Sequence, residues 1–247
     1  MKATQFEFRF RVAIVTLLYV LGFWAPWEHL RGSGAITTTW LELAGALASA
    51  HWLSLQSATI LVTVVAILLA LKGTFFRLWG TAYLGTAIVH DKAMHAAKLV
   101  AAGPYRYTRN PLYLGTLLFS AAVSILMPPS GAILFLLLQA VLYLRLILGE
   151  EAFLSAQQGQ PYLSYKQQVT RFFPSLRPRV ASAQMHPQWL QSLLAESYYL
   201  ALTACFAILA WQYNAWILTK CVIICFGASL ILKSFVPKNN PSTYSHD

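Results

Sequence analysis

From residue 110 to residue 144 the chain carries no charged side chain, and this 35-residue run is cut once, at Met127-Pro128-Pro129-Ser130-Gly131. About 20 apolar residues cross a bilayer, so the run is too long for one span and suits two short ones. Adjacent prolines remove two backbone donors and restrict the residue before them, so no helix passes through unbroken. The spacing predicts a helical hairpin with arms at 112–127 and 132–149, returning the chain to the side it came from. Such a run does not belong on a water-exposed surface. Only 11% of the 247 residues are charged and 57% are hydrophobic, whereas a soluble domain carries about 25% charged residues. The same figures exclude intrinsic disorder, a collagen-like chain and a disulfide-rich secreted module.

Further uncharged stretches at 12–27, 52–71, 192–211 (apart from Glu196) and 215–232 (apart from Lys220) extend the pattern, the last two forming a second hairpin around Gln212-Tyr213-Asn214. Residues 40–50 are apolar but interrupted by Glu42, and read as a short or interfacial helix. A cleaved signal peptide is the alternative for the first stretch, but residues 21–27 are aromatic and lack a small-x-small cleavage site. The expected fold is therefore all-α, a polytopic transmembrane bundle of about six spans with two helical hairpins. Charge placement sets its orientation. With a cytosolic N-terminus, 16 of the 18 Lys+Arg fall on the cytosolic side, leaving Arg31 and Lys220 elsewhere. Both termini are then cytosolic, and the net charge of +10 reflects topology rather than nucleic-acid binding. Three regions follow: transmembrane helices in 1–71, a core in 72–179, and a transmembrane hairpin with its tail in 180–247. Cys205, Cys221 and Cys225 sit in apolar stretches with no Cys-x-x-Cys pair, as small buried side chains do. His90 and His95, five apart, face differently on a helix, so no metal is expected.

Two long segments, 72–110 and 150–191, meet the cytosol. The first ends in the turn signal Gly103-Pro104-Tyr105, then Arg106-Tyr107-Thr108-Arg109-Asn110-Pro111. Pro111 suits the first turn of the following helix, where a missing N–H costs nothing. Free N–H groups and the positive dipole end favour an anionic group there. Forty residues later Glu150-Glu151 stand at the cytosolic end of the hairpin's return arm, so carboxylates can approach the 105–113 cluster. An anion-binding end facing a carboxylate end suits a zwitterionic cofactor such as S-adenosyl-L-methionine, with its carboxylate, amine, sulfonium and ribose hydroxyls.

Three blocks in order, GPYRYTRNPLYLG (103–115), EEAFL (150–154) and PYLSYKQQVTRFFP (161–174), resemble the isoprenylcysteine carboxyl methyltransferase and phospholipid methyltransferase superfamily over residues 72–176. The resemblance implies a membrane-embedded enzyme that takes S-adenosyl-L-methionine from the cytosol and a lipophilic acceptor from the bilayer. By position, it implies cofactor contacts at Lys98, Leu99, Val100, Tyr105, Asn110, Pro111, Leu112, Tyr113 and Glu150, with His90 upstream and Arg109 beside them. Many members carry His where this chain has Asn110, which keeps donor and acceptor but cannot carry charge. An arginine shortly before the paired glutamates meets the acceptor in the family, and Arg145 is the nearest candidate. Tyr162, Tyr165 and Arg171 would fold the second cytosolic segment back over the cofactor.

Methyl transfer from a sulfonium is an in-line displacement, so alignment and exclusion of water matter most. A carboxylate acceptor is already ionised and needs a placing cation, for which Arg145 or Arg109 is available. An amine acceptor must lose a proton, with His90, His95 or Glu151 as the base. The weak base constellation tilts the reading toward carboxyl or thiol methylation; with the resemblance, the acceptor is expected to be most like a prenylcysteine carboxylate, with phospholipid N-methylation or small-thiol S-methylation as rivals. An NADPH-dependent sterol or polyprenyl reductase, or a non-enzymatic membrane protein, are the readings from other classes.

Overall fold

The computed structural model describes residues 2–24, 37–51, 53–85, 101–212 and 214–234. Every regular element among them is helical: α1 (Gln5–Arg9), α2 (Arg11–Trp24), α3 (Thr39–Ser49), α4 (Leu55–Leu84), a 3₁₀ turn (Gly103–Arg106), α5 (Pro111–Ser124), α6 (Pro129–Gln158), α7 (Gln160–Gln168), α8 (Trp189–Ala195), α9 (Ser197–Leu209), a second 3₁₀ turn (Ala210–Gln212) and α10 (Ala215–Ser234). By length and composition, α4 and α6 can cross a membrane. Within their most apolar windows only 33% of α4 and 44% of α6 are buried. Exposed Leu61, Val64, Val65 and Leu68 on α4, and Ile133, Leu137 and Val141 on α6, therefore face outward, the reverse of a soluble core helix. Helices α2, α5 and α9 are apolar but shorter.

The Pro128-Pro129 hairpin forms as expected, but both of its arms are shifted. Helix α5 starts with Pro111 in its first turn and ends at Ser124. Helix α6 takes Pro129 into its first turn and runs to Gln158, nine residues past Gly149. It stops at Gly159, whose φ of 60° is one a side chain rarely adopts. Helix α4 likewise continues from the expected end at residue 71 to Leu84, so the border between the first two expected regions lies inside one helix. The first arm of the C-terminal hairpin, expected as one helix over 192–211, breaks at Glu196 into α8 and α9.

Helix α4 packs closely on α5. A Cβ built on Gly73 would lie 2.6 Å from the Gly115 carbonyl oxygen, and one on Gly115 would lie 2.7 Å from that of Gly73. Here the backbones touch, as small-residue crossings allow. A similar crossing brings α2 onto α6, where any side chain at Gly131 would collide with the Gly22 carbonyl. Around these crossings Phe8, Leu18, Met127, Phe135 and Leu146 form one apolar cluster. Trp40, Val62, Ala66 and Phe206 form a second, and Ala70, Phe119, Val123 and Leu202 a third. Helices α4, α5 and α6 thus make a fixed frame, and the polar ends of α5 and α6 emerge side by side.

Candidate functional site

The motif segment reaches the frame through a tight turn. Gly103 has φ 51°, and any Cβ there would run into the Tyr83 ring, so glycine is needed for both conformation and space. Tyr105 is buried; its hydroxyl donates to the Gly80 carbonyl over 3.4 Å, and its own carbonyl accepts from the Tyr165 hydroxyl at 2.8 Å. Burial raises the Tyr165 hydroxyl pKa, so it remains a neutral donor. Tyr162, Tyr165 and Val169 form a small apolar cluster beneath this contact.

Residues 169–183, which have no regular secondary structure, lie along residues 101–109 as a strap. Its backbone bonds are Arg109 N–H to Thr170 O at 2.9 Å, Ser175 N–H to Tyr107 O at 3.0 Å, Arg179 N–H to Arg106 O at 2.9 Å and Ala183 N–H to Ala101 O at 3.0 Å. The fully buried Thr108 hydroxyl lies 3.3 Å from the Arg171 carbonyl and 3.0 Å from that of Phe172. Asn110 donates its side-chain amide to the Arg171 carbonyl at 3.0 Å instead of capping α5. The first-turn N–H groups of α5 are therefore not satisfied by their cap.

Adjacent residues on a helix point about 100° apart, and Glu150 and Glu151 accordingly serve different neighbours. Glu150 accepts from the Tyr113 hydroxyl at 2.7 Å, and Tyr113 packs edge-on against Tyr143 with ring centres 5.2 Å apart. Glu151, only 3% exposed, holds three cations: Arg109 Nη2 at 3.0 Å, Arg171 Nη2 at 3.0 Å and Lys166 Nζ at 3.7 Å. Arg171 also donates through Nε at 3.1 Å. The hydrogen bond to Glu151 raises the pKa of the Arg171 guanidinium. Arg109 Nη1 reaches the Lys166 carbonyl at 2.5 Å, and its buried Nε has no hydrogen-bond partner among the described residues. Beside this hub opens a cleft of about 720 Å³, bordered by Glu151, Ser155, Leu163 and Lys166.

The structure thus joins Tyr113 to Glu150 and Arg109 to Glu151 at the adjoining ends of α5 and α6, with Asn110 and Pro111 at the start of α5, whereas Tyr105 and Leu112 lie against Gly80 of α4. His90, Lys98, Leu99 and Val100 lie outside the described residues. Arg145 is directed elsewhere: it binds Glu7 through Nε at 2.8 Å and Nη2 at 2.9 Å, about 140° round the helix from Glu150. That bidentate contact lowers the Glu7 carboxyl pKa to about 2. Glu151 has its lone pairs engaged by cations, which gives it the position of a clamp rather than a proton acceptor. Of the residues expected to fold the second segment back, Tyr162 and Tyr165 lie on α7, with Tyr165 bonded to the Tyr105 carbonyl, and Arg171 lies in the strap, bonded to Glu151.

Sequence reasoning missed a second polar junction. Arg77, expected in the cytosolic segment, lies inside α4 and donates Nε and Nη2 to Glu196 at 2.9 and 2.7 Å. Thr81 donates to the same carboxylate at 2.6 Å, and Arg77 Nη1 reaches Thr116 at 3.3 Å. The guanidinium also lies 4.8 Å from the centre of the Tyr199 ring. Glu196 has no exposure at all. A lone glutamate in an otherwise uncharged apolar arm was the signal that could have found it, since such a charge requires a partner.

Among the described residues, no three His, Cys, Asp or Glu side chains gather as a metal site. Residues 61–160 match the family model described as phospholipid methyltransferase. That stretch contains the first two motif blocks, most of α4, and all of α5 and α6. No curated protein and no solved structure matches the chain.

Proposed function

On the likeness of residues 61–160 to the phospholipid methyltransferase family model, we propose that the chain moves a methyl group from S-adenosyl-L-methionine to a lipophilic acceptor entering from the bilayer. The observation that carries the proposal is the Tyr113–Glu150 pair, joined at 2.7 Å where the motif segment enters α5. The residues present fit the cofactor's charge pattern. Glu150 and Tyr113 would hold the amine or ribose hydroxyls. The α5 N-terminus and the unpartnered Arg109 Nε would hold the carboxylate. When bound, the cofactor supplies an electrophilic methyl on a sulfonium. The protein's part is to orient the acceptor along that bond and keep water out, with Tyr165 and the strap covering the 101–110 segment.

For the acceptor we favour a carboxylate, most like that of a prenylcysteine, because Glu151 is engaged by three cations and stands badly as a base. The family model's description supports a second reading, methylation of a phospholipid amine, for which His90 or His95 would take the proton. In this proposal the bundle has about six spans with both ends and the site on the cytosolic side, in keeping with the placement of its basic residues.

The deciding experiment incubates purified protein with methyl-labelled cofactor and a membrane lipid extract and identifies the labelled molecule. Glu150→Ala and Tyr113→Ala should each abolish cofactor binding while the protein still inserts. Unchanged binding in both would sink the site.

A further inference from the structure

Between Glu151 and Glu196 the chain has no acidic residue, and within that stretch the strap carries Arg171, Arg177 and Arg179. Arg171 is committed to Glu151, whereas Arg177 and Arg179 are exposed. Between and beside them two large apolar side chains stand out from the protein, Phe173 at 82% exposure and Leu176 at 101%. Neither is on an apolar helix, where outward-facing leucines are explained by the bilayer core. They stand on a loop, held at the level where the apolar helices end, because Asn110 at the start of α5 grips the Arg171 carbonyl and Glu151 on α6 grips the Arg171 guanidinium. Exposed apolar side chains flanked by arginines match one surface in particular, the boundary between anionic headgroups and acyl chains.

We propose that residues 171–179 are an interfacial anchor. Phe173 and Leu176 enter the acyl boundary, and Arg177 and Arg179 pair with anionic lipid headgroups. The occupant is the surface of the same bilayer that takes α4 and α6. The anchor is coupled to the motif segment. Thr170 and Ser175 bracket Phe173, and Ser175 and Arg179 bracket Leu176; all three are bonded to the backbone of residues 106–109. Seating the loop on lipid therefore also fixes the stretch that carries Arg109. The anchor rests on the membrane reading but not on methyl transfer.

The test is amide hydrogen exchange on the full chain in nanodiscs, of phosphatidylcholine alone and of phosphatidylcholine mixed with phosphatidylserine. Exchange across residues 171–180 should be about thirtyfold slower in the anionic discs, the effect expected of two surface arginines. The double variant R177Q/R179Q should lose that difference, and F173S/L176S should exchange fast in both lipids. Equal exchange of the unaltered chain in the two discs overturns the anchor, and is the result expected if a soluble peptide were the partner instead. A lipid effect that survives R177Q/R179Q overturns it as well. Amides of α4 and α6 are the internal standard: fast exchange there overturns the membrane reading itself, and the anchor with it.

Discussion

Among the described residues two buried carboxylates, Glu196 and Glu151, are held by arginine, and the two junctions differ in how far their cations are enclosed. At Glu196 the carboxylate meets the Arg77 guanidinium inside the helix frame; the side chains are 0% and 13% exposed, and Thr81 donates to the same carboxylate. At Glu151 one equally buried carboxylate serves three cations, two of which, Lys166 and Arg171, are 35% and 39% exposed. The first junction is enclosed and ties α4 to the C-terminal helices. The second is over-supplied with positive charge and opens on water, and ties a loop to a helix end. Enclosure makes the first a fastening that tolerates no loss. Excess charge makes the second a clasp that can lose a member, and leaves cationic surface beside the proposed site.

That contrast can be broken by substitution. Glu196→Ala leaves a buried, unpaired arginine and should cost about 3–5 kcal/mol, read as loss of folded protein in a detergent melting assay. Adding Arg77→Met should recover part of it. A single variant as stable as the unaltered chain would refute the fastening. Glu151→Ala should cost less, about 1–3 kcal/mol, because Lys166 and Arg171 can turn to water. Its clearer sign should be proteolysis within residues 169–188 while α4–α6 stay intact. If the frame melts with the strap, the two junctions are not separate. Arg171→Ala should be milder again, since Arg109 remains on Glu151; the same proteolysis assay ranks it.

The smallest effect belongs to the outlying pair of Glu7 and Arg145. The Arg145 hydrogen bond lowers the Glu7 pKa from 4.5 to about 2. Its contribution is therefore complete above pH 4.5 and lost as pH falls through about 2. Thermal stability of Glu7→Gln should fall slightly below that of the unaltered chain at pH 7 and converge with it near pH 2. A gap that persists at low pH would show that the pair acts through something other than charge. Arg145→Ala should reduce turnover more than cofactor affinity if Arg145 leaves Glu7 for the acceptor, and neither if the pair is only structural.

Much of the frame was legible because its signals are local. Two prolines, a 35-residue uncharged run and Gly103-Pro104 each dictate geometry within a few residues. Helix ends were less legible, for a physical reason. Counting uncharged residues measures apolar length, whereas helices stop for backbone causes. Thus α6 runs through Glu150-Glu151 to Gly159, and α4 runs through Lys72 and Arg77 to Gly85. Of the site, residues 103–115 and Glu150 stood out as motif, and Tyr113 does meet Glu150. The ion pairs did not, because Arg77 and Glu196 are 119 positions apart and Arg145 and Glu7 are 138 apart. A sequence shows that such charges need partners, but only packing decides which.

The contact between Gly73 and Gly115 bears on which parts of this protein can move. With backbone against backbone at Gly73 and Gly115, α4 and α5 have no side chains at that point that could slide or re-pack, so the crossing is a fixed pivot. The strap, by contrast, is held to residues 101–110 by hydrogen bonds that can open and close singly. In machine terms, α4 and α5 are the bearing and residues 169–183 are the latch.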